Sequence, residues 1–252
     1  MLVQQRKDGT LWCFTQHDHA KLSGGLAHEW CGLEESAASL SWEVVLATTL
    51  HDWPWHEEDK TPRWNASTQR PYSFLDFPAD ERLPLYKWGL DQIERLDPYA
   101  TLLVSQHYCA FKGLRGIENF QTAEKERQER LLQSMGPAAP SAERLEHELP
   151  YVQLFDLLSL ALCLKSPSAV EEVCPLWLLP KNVAYTPGGK PFQMKWEGEH
   201  KVVCEPFPWK RPLSLSIPYR FLDSTTFASE AELLEAWHQA PTRILQVDWV
   251  AS

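Results

Sequence analysis

Residues 151–164, YVQLFDLLSLALCL, carry one charged side chain, Asp156. A run of this length without Gly or Pro, with leucines returning every three or four positions, reads as a largely buried helix. An isolated buried carboxylate costs several kcal/mol, so Asp156 needs a cation beside it. Three further segments bear on what that cation is. His19 stands in helical register with Leu22, Leu26 and Trp30, His51 closes the series Leu40, Val44 and Ala47, and His107 follows Tyr99 and Leu103. Three helices thus carry a histidine on the apolar face, and a fourth carries Asp156.

Asp52 follows His51 where Trp53-Pro54 terminates the helix. Neighbours on a helix project about 100° apart, so His51 and Asp52 reach one point only at a helix end, as here. A lone histidine on an apolar face is usually a core residue with satisfied hydrogen bonds. Three of them with two carboxylates form a mixed imidazole and carboxylate set, which suits a divalent ion such as zinc, manganese, iron, nickel or magnesium. The competing reading has no metal and pairs Asp156 with Arg127 or Arg130.

Working outward, residues 18–165 read as all-α. They include a long Pro- and Trp-rich loop over 55–84 and a cap with first-turn proline at Asp97-Pro98. A charged helix, EKERQERLL over 124–132, reads as a solvated face. Beyond Pro175 the texture changes to short β-type runs, LWLL, MKW, KVVCE, LSLSIPYRF and RILQVDWV, with one helix over 229–238. The fold class expected is α+β: a mainly α-helical bundle over residues 1–168, with a smaller C-terminal antiparallel β region over 169–252 packed on it.

Composition narrows the function. Of 252 residues, 24 are Lys or Arg and 34 are Asp or Glu, a formal charge of −10. Duplex nucleic acid is not expected as a partner, since that affinity rests on cations neutralising phosphates. A small-molecule substrate, including a phosphorylated one held by a few local cations, is expected instead. No stretch approaches the roughly 18 apolar residues of a membrane span, so no membrane partner is expected and the cytoplasm is the expected compartment. The six cysteines form no CxxC pair, which suits reduced thiols. GxSxG, GxxxxGK and GxGxxG are absent from the sequence, which leaves acyl-hydrolase, triphosphatase and dinucleotide readings without their signatures.

The order His19, His51-Asp52, His107, Asp156 resembles the H…HD…H…D pattern of the HD superfamily of metal-dependent phosphohydrolases, an all-helical fold. The segments TQHDHAKLSG (15–24), HDWPW (51–55), PYA to SQH (98–107) and QLFD (153–156) also resemble an uncharacterised, mainly bacterial family classed as a domain of unknown function. The superfamily resemblance implies an HD-like bundle in which His19, His51, Asp52 and Asp156 ligate a divalent metal. His107 would then serve a second metal or the substrate. His17 is an alternative first ligand, and His56 an auxiliary one. The metal would activate water for attack on a phosphate ester, and the developing charge needs fixed cations. Lys112 and Arg115, just after the His107 helix, are favoured over Lys21 and Arg70. Asp52, His107, Lys112 and Arg115 are therefore the catalytic candidates. The alternative is a non-catalytic ligand- or partner-binding protein on the same scaffold.

Overall fold

A computed structural model describes residues 1–33 and 39–252. Its largest feature is a curled seven-stranded sheet. Strands β1 (Leu2–Gln5) and β2 (Leu11–Phe14) pair antiparallel. A two-stranded ribbon, β3 (Trp64–Asn65) with β4 (Arg70–Pro71), stands apart. The rest of the sheet is β5 (Val183–Tyr185), β6 (Pro191–Trp196), β7 (Lys201–Glu205), β8 (Leu213–Leu222) and β9 (Thr242–Ala251). The order is β1-β2-β8-β9-β7-β6-β5, antiparallel except where β7 runs parallel to β9. Alternation explains these strands: Phe192 and Met194 on β6, and Leu245, Val247 and Trp249 on β9, point into the core while their neighbours face out.

The helices are α1 (Gln16–His28), α2 (Trp42–Leu50), α3 (Ala79–Ile93), α4 (Pro98–Cys109), α5 (Ile117–Met135), α6 (Ala142–Leu164) and α7 (Glu230–Gln239). Helices α1 and α6 lie on the sheet, where Leu26, Phe155 and Leu162 share one core with Ile217, Val247 and Trp249. A methyl group on Gly25 would sit 3.3 Å from Leu215 of β8. Helices α2 and α4 cover the far side of α1 and α6, and with α3 and α5 they enclose a second core around Leu90, Leu103 and Tyr108. Helix α7 buries Leu233 and Trp237 against Leu11, Cys13 and Leu222.

This arrangement corrects the expected fold class. The chain is a mixed α/β structure organised on a seven-stranded sheet, and neither an all-α protein nor a mainly helical HD-like bundle with a β appendage. Two strands come from the extreme N-terminus, where four-residue segments are too short to show a period. Residues on both sides of position 168 share the sheet and the core beneath it.

Smaller differences follow. LWLL forms no strand, and the loop read over 55–84 starts at the end of one 3-10 turn (Trp53–Trp55) and contains a second (Glu58–Lys60), the β3–β4 ribbon and the start of α3. The charged helix is not a simple solvated face. Glu124 and Arg127 are buried, and Arg127 joins Glu124, Glu94 and Asp91 in one ion-pair network while Arg130 pairs with Glu94. Neither arginine is the cation beside Asp156. All six cysteines are free thiols.

Candidate metal centre

Close packing assembles the site. The Thr15 hydroxyl caps α1 by accepting from the Asp18 N–H at 2.9 Å. Further along, a Cβ on Gly24 would stand 2.0 Å from Thr49 Oγ1, so only glycine lets α1 approach α2 this closely. About a turn and a half earlier on α1, His19 faces the end of α2. His51 is the residue on which α2 stops, and its carbonyl accepts a hydrogen bond from the Tyr108 hydroxyl of α4. Asp52 leaves the helix at φ −109°, ψ 21°, which turns its carboxylate to the same side as His51. The turn that follows is held from outside, because a Cβ on Gly89 of α3 would lie 2.6 Å from Pro54 Cα.

His19 Nε2 lies 3.0 Å from Asp52 Oδ2, 3.3 Å from Asp156 Oδ1 and 3.2 Å from His51 Nε2. His51 Nε2 lies 3.4 Å from Asp156 Oδ1 and 3.6 Å from Asp52 Oδ2. Donor atoms of His19, His51 and Asp156 fall within 4.8 Å of one another, close enough to hold one metal ion. His107 Nε2 meets the other oxygen of Asp156, Oδ2, at 3.6 Å. It stands on the far side of that carboxylate.

The hydrogen-bond network fixes the tautomers. His51 Nδ1 is 2.7 Å from the Thr48 carbonyl, which only accepts. The proton is therefore on Nδ1, and the neutral ring presents a lone pair at Nε2. His19 Nδ1 lies 2.6 Å from Ser159 Oγ, which also contacts Ser23 Oγ at 2.7 Å and the Asp156 carbonyl at 2.9 Å; with the Ser159 proton given to either of these, His19 Nδ1 donates and its Nε2 faces the same point. Two neutral imidazoles and two carboxylates converging this way repel each other unless a cation or protons lie among them. Ligands about 2.0–2.2 Å from a tetrahedral ion stand about 3.3–3.6 Å apart, and closer in an octahedral one. The separations among His19, His51 and Asp156 fit that range, and Asp52 fits it toward the two rings but stands outside the group whose donor atoms all lie within 4.8 Å of one another.

In the metal-free protein the carboxylates supply the compensation by holding protons on the rings. Burial opposes charge on His51, but the Asp52 charge and Asp156 outweigh it and raise its pKa to about 9. Burial likewise opposes charge on His19, and hydrogen bonds to Asp156 and Asp52 turn the balance upward. Asp156 is lowered well below the carboxylate range, its burial outweighed by His19 and His51. His107 behaves differently: burial dominates and pushes it down to about 4. Its Nδ1 is buried with no partner among the described residues.

Asp52, His107 and Asp156 form part of the wall of a cavity of about 560 Å³, while His19 and His51 are buried behind them. Lys112 lines the same cavity. Arg115 is exposed in the loop between α4 and α5 and does not line it. His17 stays out of the cluster and meets Trp53 and His56 edge-on, while His56 stacks on Trp53. Lys21 pairs with Asp18, and Arg70 donates to Gln5. Ser159, His19 and Asp52 form a serine–histidine–aspartate series, but Ser159 is fully buried and serves as an orienting partner of the ring rather than a nucleophile.

Comparison with known proteins bears on the whole arrangement. A family model matches residues 1–224, a span that includes every residue of the cluster. The chain belongs to the family described as Protein of unknown function (DUF3891). No curated protein and no solved structure matches it. The match establishes the unknown-function family, and the HD likeness rests on the order of the residues alone. In this DUF3891 chain the matched span ends just after β8, so α7 and β9 lie beyond it.

Sequence reasoning missed Ser159, Tyr108 and Arg82. Arg82 lines the cavity one helical turn from Tyr86 on α3. That i, i+4 spacing was the available signal, but Pro84 in the second turn disguises the helix.

Proposed function

We propose that this DUF3891 protein is a metal-dependent hydrolase of a phosphate ester, holding a divalent ion through His19, His51, Asp52 and Asp156. The observation that carries the reading is the approach of donor atoms of His19, His51 and Asp156 to within 4.8 Å of one another, with Asp52 beside His19 and both carboxylates reaching the cavity wall. A bound divalent ion supplies an acidified water and polarises a phosphoryl oxygen.

The protein's own groups do the rest. Ser159 and the Thr48 carbonyl lock both imidazoles by their Nδ1 atoms, so neither ring has to reorganise on loading. His107, kept neutral by burial, offers a hydrogen-bonding nitrogen at the cavity wall without adding charge. Lys112 is a cation on the same wall, placed to balance charge developing on the phosphoryl oxygens. In hydrolysis the water oxygen forms the new bond to phosphorus, the ester oxygen leaves, and the water proton ends on that leaving oxygen.

The test is phosphate release from a panel of phosphate monoesters by protein loaded with manganese, zinc or iron, beside Asp52→Ala. Turnover that Asp52→Ala abolishes supports the reading. Ligand binding without turnover under any metal would assign the non-catalytic role instead.

A further inference from the structure

We propose that the cavity beside the metal centre selects esters of a single phosphate with a flat apolar alcohol, and that Arg82 is the residue that captures the phosphate. The inference deepens the hydrolase reading and rests on it only for the fate of the bound ester. Binding itself is argued from the cavity.

Arg82 spends only part of its hydrogen-bonding capacity within the protein. Its Nη2 donates to the Phe77 carbonyl at 2.8 Å, which anchors the guanidinium. Its Nε is buried and has no partner among the described residues. No carboxylate pairs with it among those residues, although the chain carries 34 acidic side chains against 24 basic ones. Partly desolvated guanidinium groups are normally paired. One that lines a cavity with no carboxylate beside it is suited to receive an anion, and a guanidinium is the side chain whose geometry best suits phosphate oxygens.

The rest of the wall limits what the anion can be attached to. Tyr86, Phe111, Leu114, Leu157, Leu160 and Trp177 give the cavity a mainly apolar surface. Trp177 and Leu75 stand at its edge, 52% and 45% exposed, large apolar groups left facing solvent. Only one other cation, the exposed Lys112, joins Arg82 on this wall, and Asp52 and Asp156 oppose them. With Asp52 and Asp156 turned to the metal, the two cations match one phosphate dianion and leave none for the extra charges of a polyphosphate. A volume of about 560 Å³ is that of a small-molecule site, large enough for a one- or two-ring body.

The experiment uses non-hydrolysable probes and the whole protein, so that it reads binding rather than turnover. Dissociation constants of 1-naphthylphosphonate, methylphosphonate and pyrophosphate are measured by calorimetry, on metal-loaded and on metal-free protein. The naphthyl probe is expected to bind at least tenfold more tightly than either of the others. Arg82→Gln, with its melting temperature checked, is expected to weaken the naphthyl probe at least tenfold. Trp177→Ala, an exposed position whose loss leaves the fold intact, is expected to shrink the naphthyl preference while leaving methylphosphonate unchanged. Equal binding of the three probes, or full affinity in Arg82→Gln, overturns the inference even if the protein holds its metal. Arg82-dependent naphthyl binding to a protein that takes up no metal supports the inference while removing the hydrolase reading.

Discussion

Loading a divalent ion between His19 and His51 must expel protons, and the geometry sets how many. Their Nε2 atoms lie 3.2 Å apart, each within 3.6 Å of carboxylate oxygens, and in the metal-free protein those carboxylates hold His51 up to about 9 and raise His19 as well. At pH 7 His51 is therefore protonated and gives up close to one proton on loading, with His19 adding up to one more. Each proton released makes the apparent affinity change tenfold per pH unit. From pH 6 to pH 8 binding should tighten by about 10² to 10⁴, or about 2.7 to 5.5 kcal/mol. Titration of zinc or manganese in buffers of different ionisation enthalpy gives the proton count directly. A count of zero, with equal affinity at pH 6 and pH 8, would refute the assignment of the two Nε2 atoms as ligands.

The same protons give the metal-free protein a distinctive stability profile. A histidine raised from 6.5 to about 9 on folding contributes stability that is complete below about pH 6.5 and gone above about pH 9. At 1.36 kcal/mol per pH unit of displacement the contribution is on the order of 3 kcal/mol. The melting temperature of metal-free protein should therefore fall across that window by about 6–12 °C, at about 2–4 °C per kcal/mol for a chain of this size. Metal-loaded protein should show no such fall, because its rings are already deprotonated. A metal-free melting temperature flat from pH 6.5 to pH 9 would show that the carboxylates do not hold the proton.

Three substitutions probe the supports of the site. Gly89→Ala drives a methyl group into the Pro54 backbone and should cost about 1–3 kcal/mol while weakening metal binding, read by denaturant melts and metal titration; unchanged values would mean that α3 does not brace the Asp52 turn. Ser159→Ala removes the acceptor that orients His19 and should lower metal affinity about 10- to 100-fold while costing about 1–3 kcal/mol for the buried N–H left unpaired, and an unaltered affinity would count against the tautomer argument. Arg127→Ala leaves Glu124, which is 1% exposed, without its cation and should cost about 3–5 kcal/mol with no effect on metal binding. A cost below 1 kcal/mol would show that the network is solvated after all.

The clustering of the candidate site was more legible in the sequence than the fold. His19, His51, His107 and Asp156 stand out because polar groups on apolar helical faces break a strong 3.6-residue pattern, and the interruption is visible without knowing how the helices pack. Asp52 was legible because Trp53-Pro54 ends α2 at that point. The sheet was hidden for a different reason. Strands β1 and β2 are four residues each, and what makes them strands is pairing with each other and with β8, about two hundred residues away in sequence, a contact that no local pattern encodes. The partner of Asp156 also depended on tertiary structure. Arg127 and Arg130 carry the right charge, but α5 turns them toward Asp91 on α3 and Glu94 just past its end. Arg82 escaped notice because Pro84 made the start of α3 look like loop.

One divalent ion is proposed to be shared by His19, His51, Asp52 and Asp156. The most direct test is a crystal of protein purified without chelators, with anomalous diffraction collected at the absorption edges of manganese, iron, nickel and zinc. One anomalous peak per chain is expected about 2.0–2.2 Å from the Nε2 atoms of both histidines, lost in Asp156→Asn. Protein soaked in each of these metals that shows no peak there, or a peak bound elsewhere, would contradict the shared site.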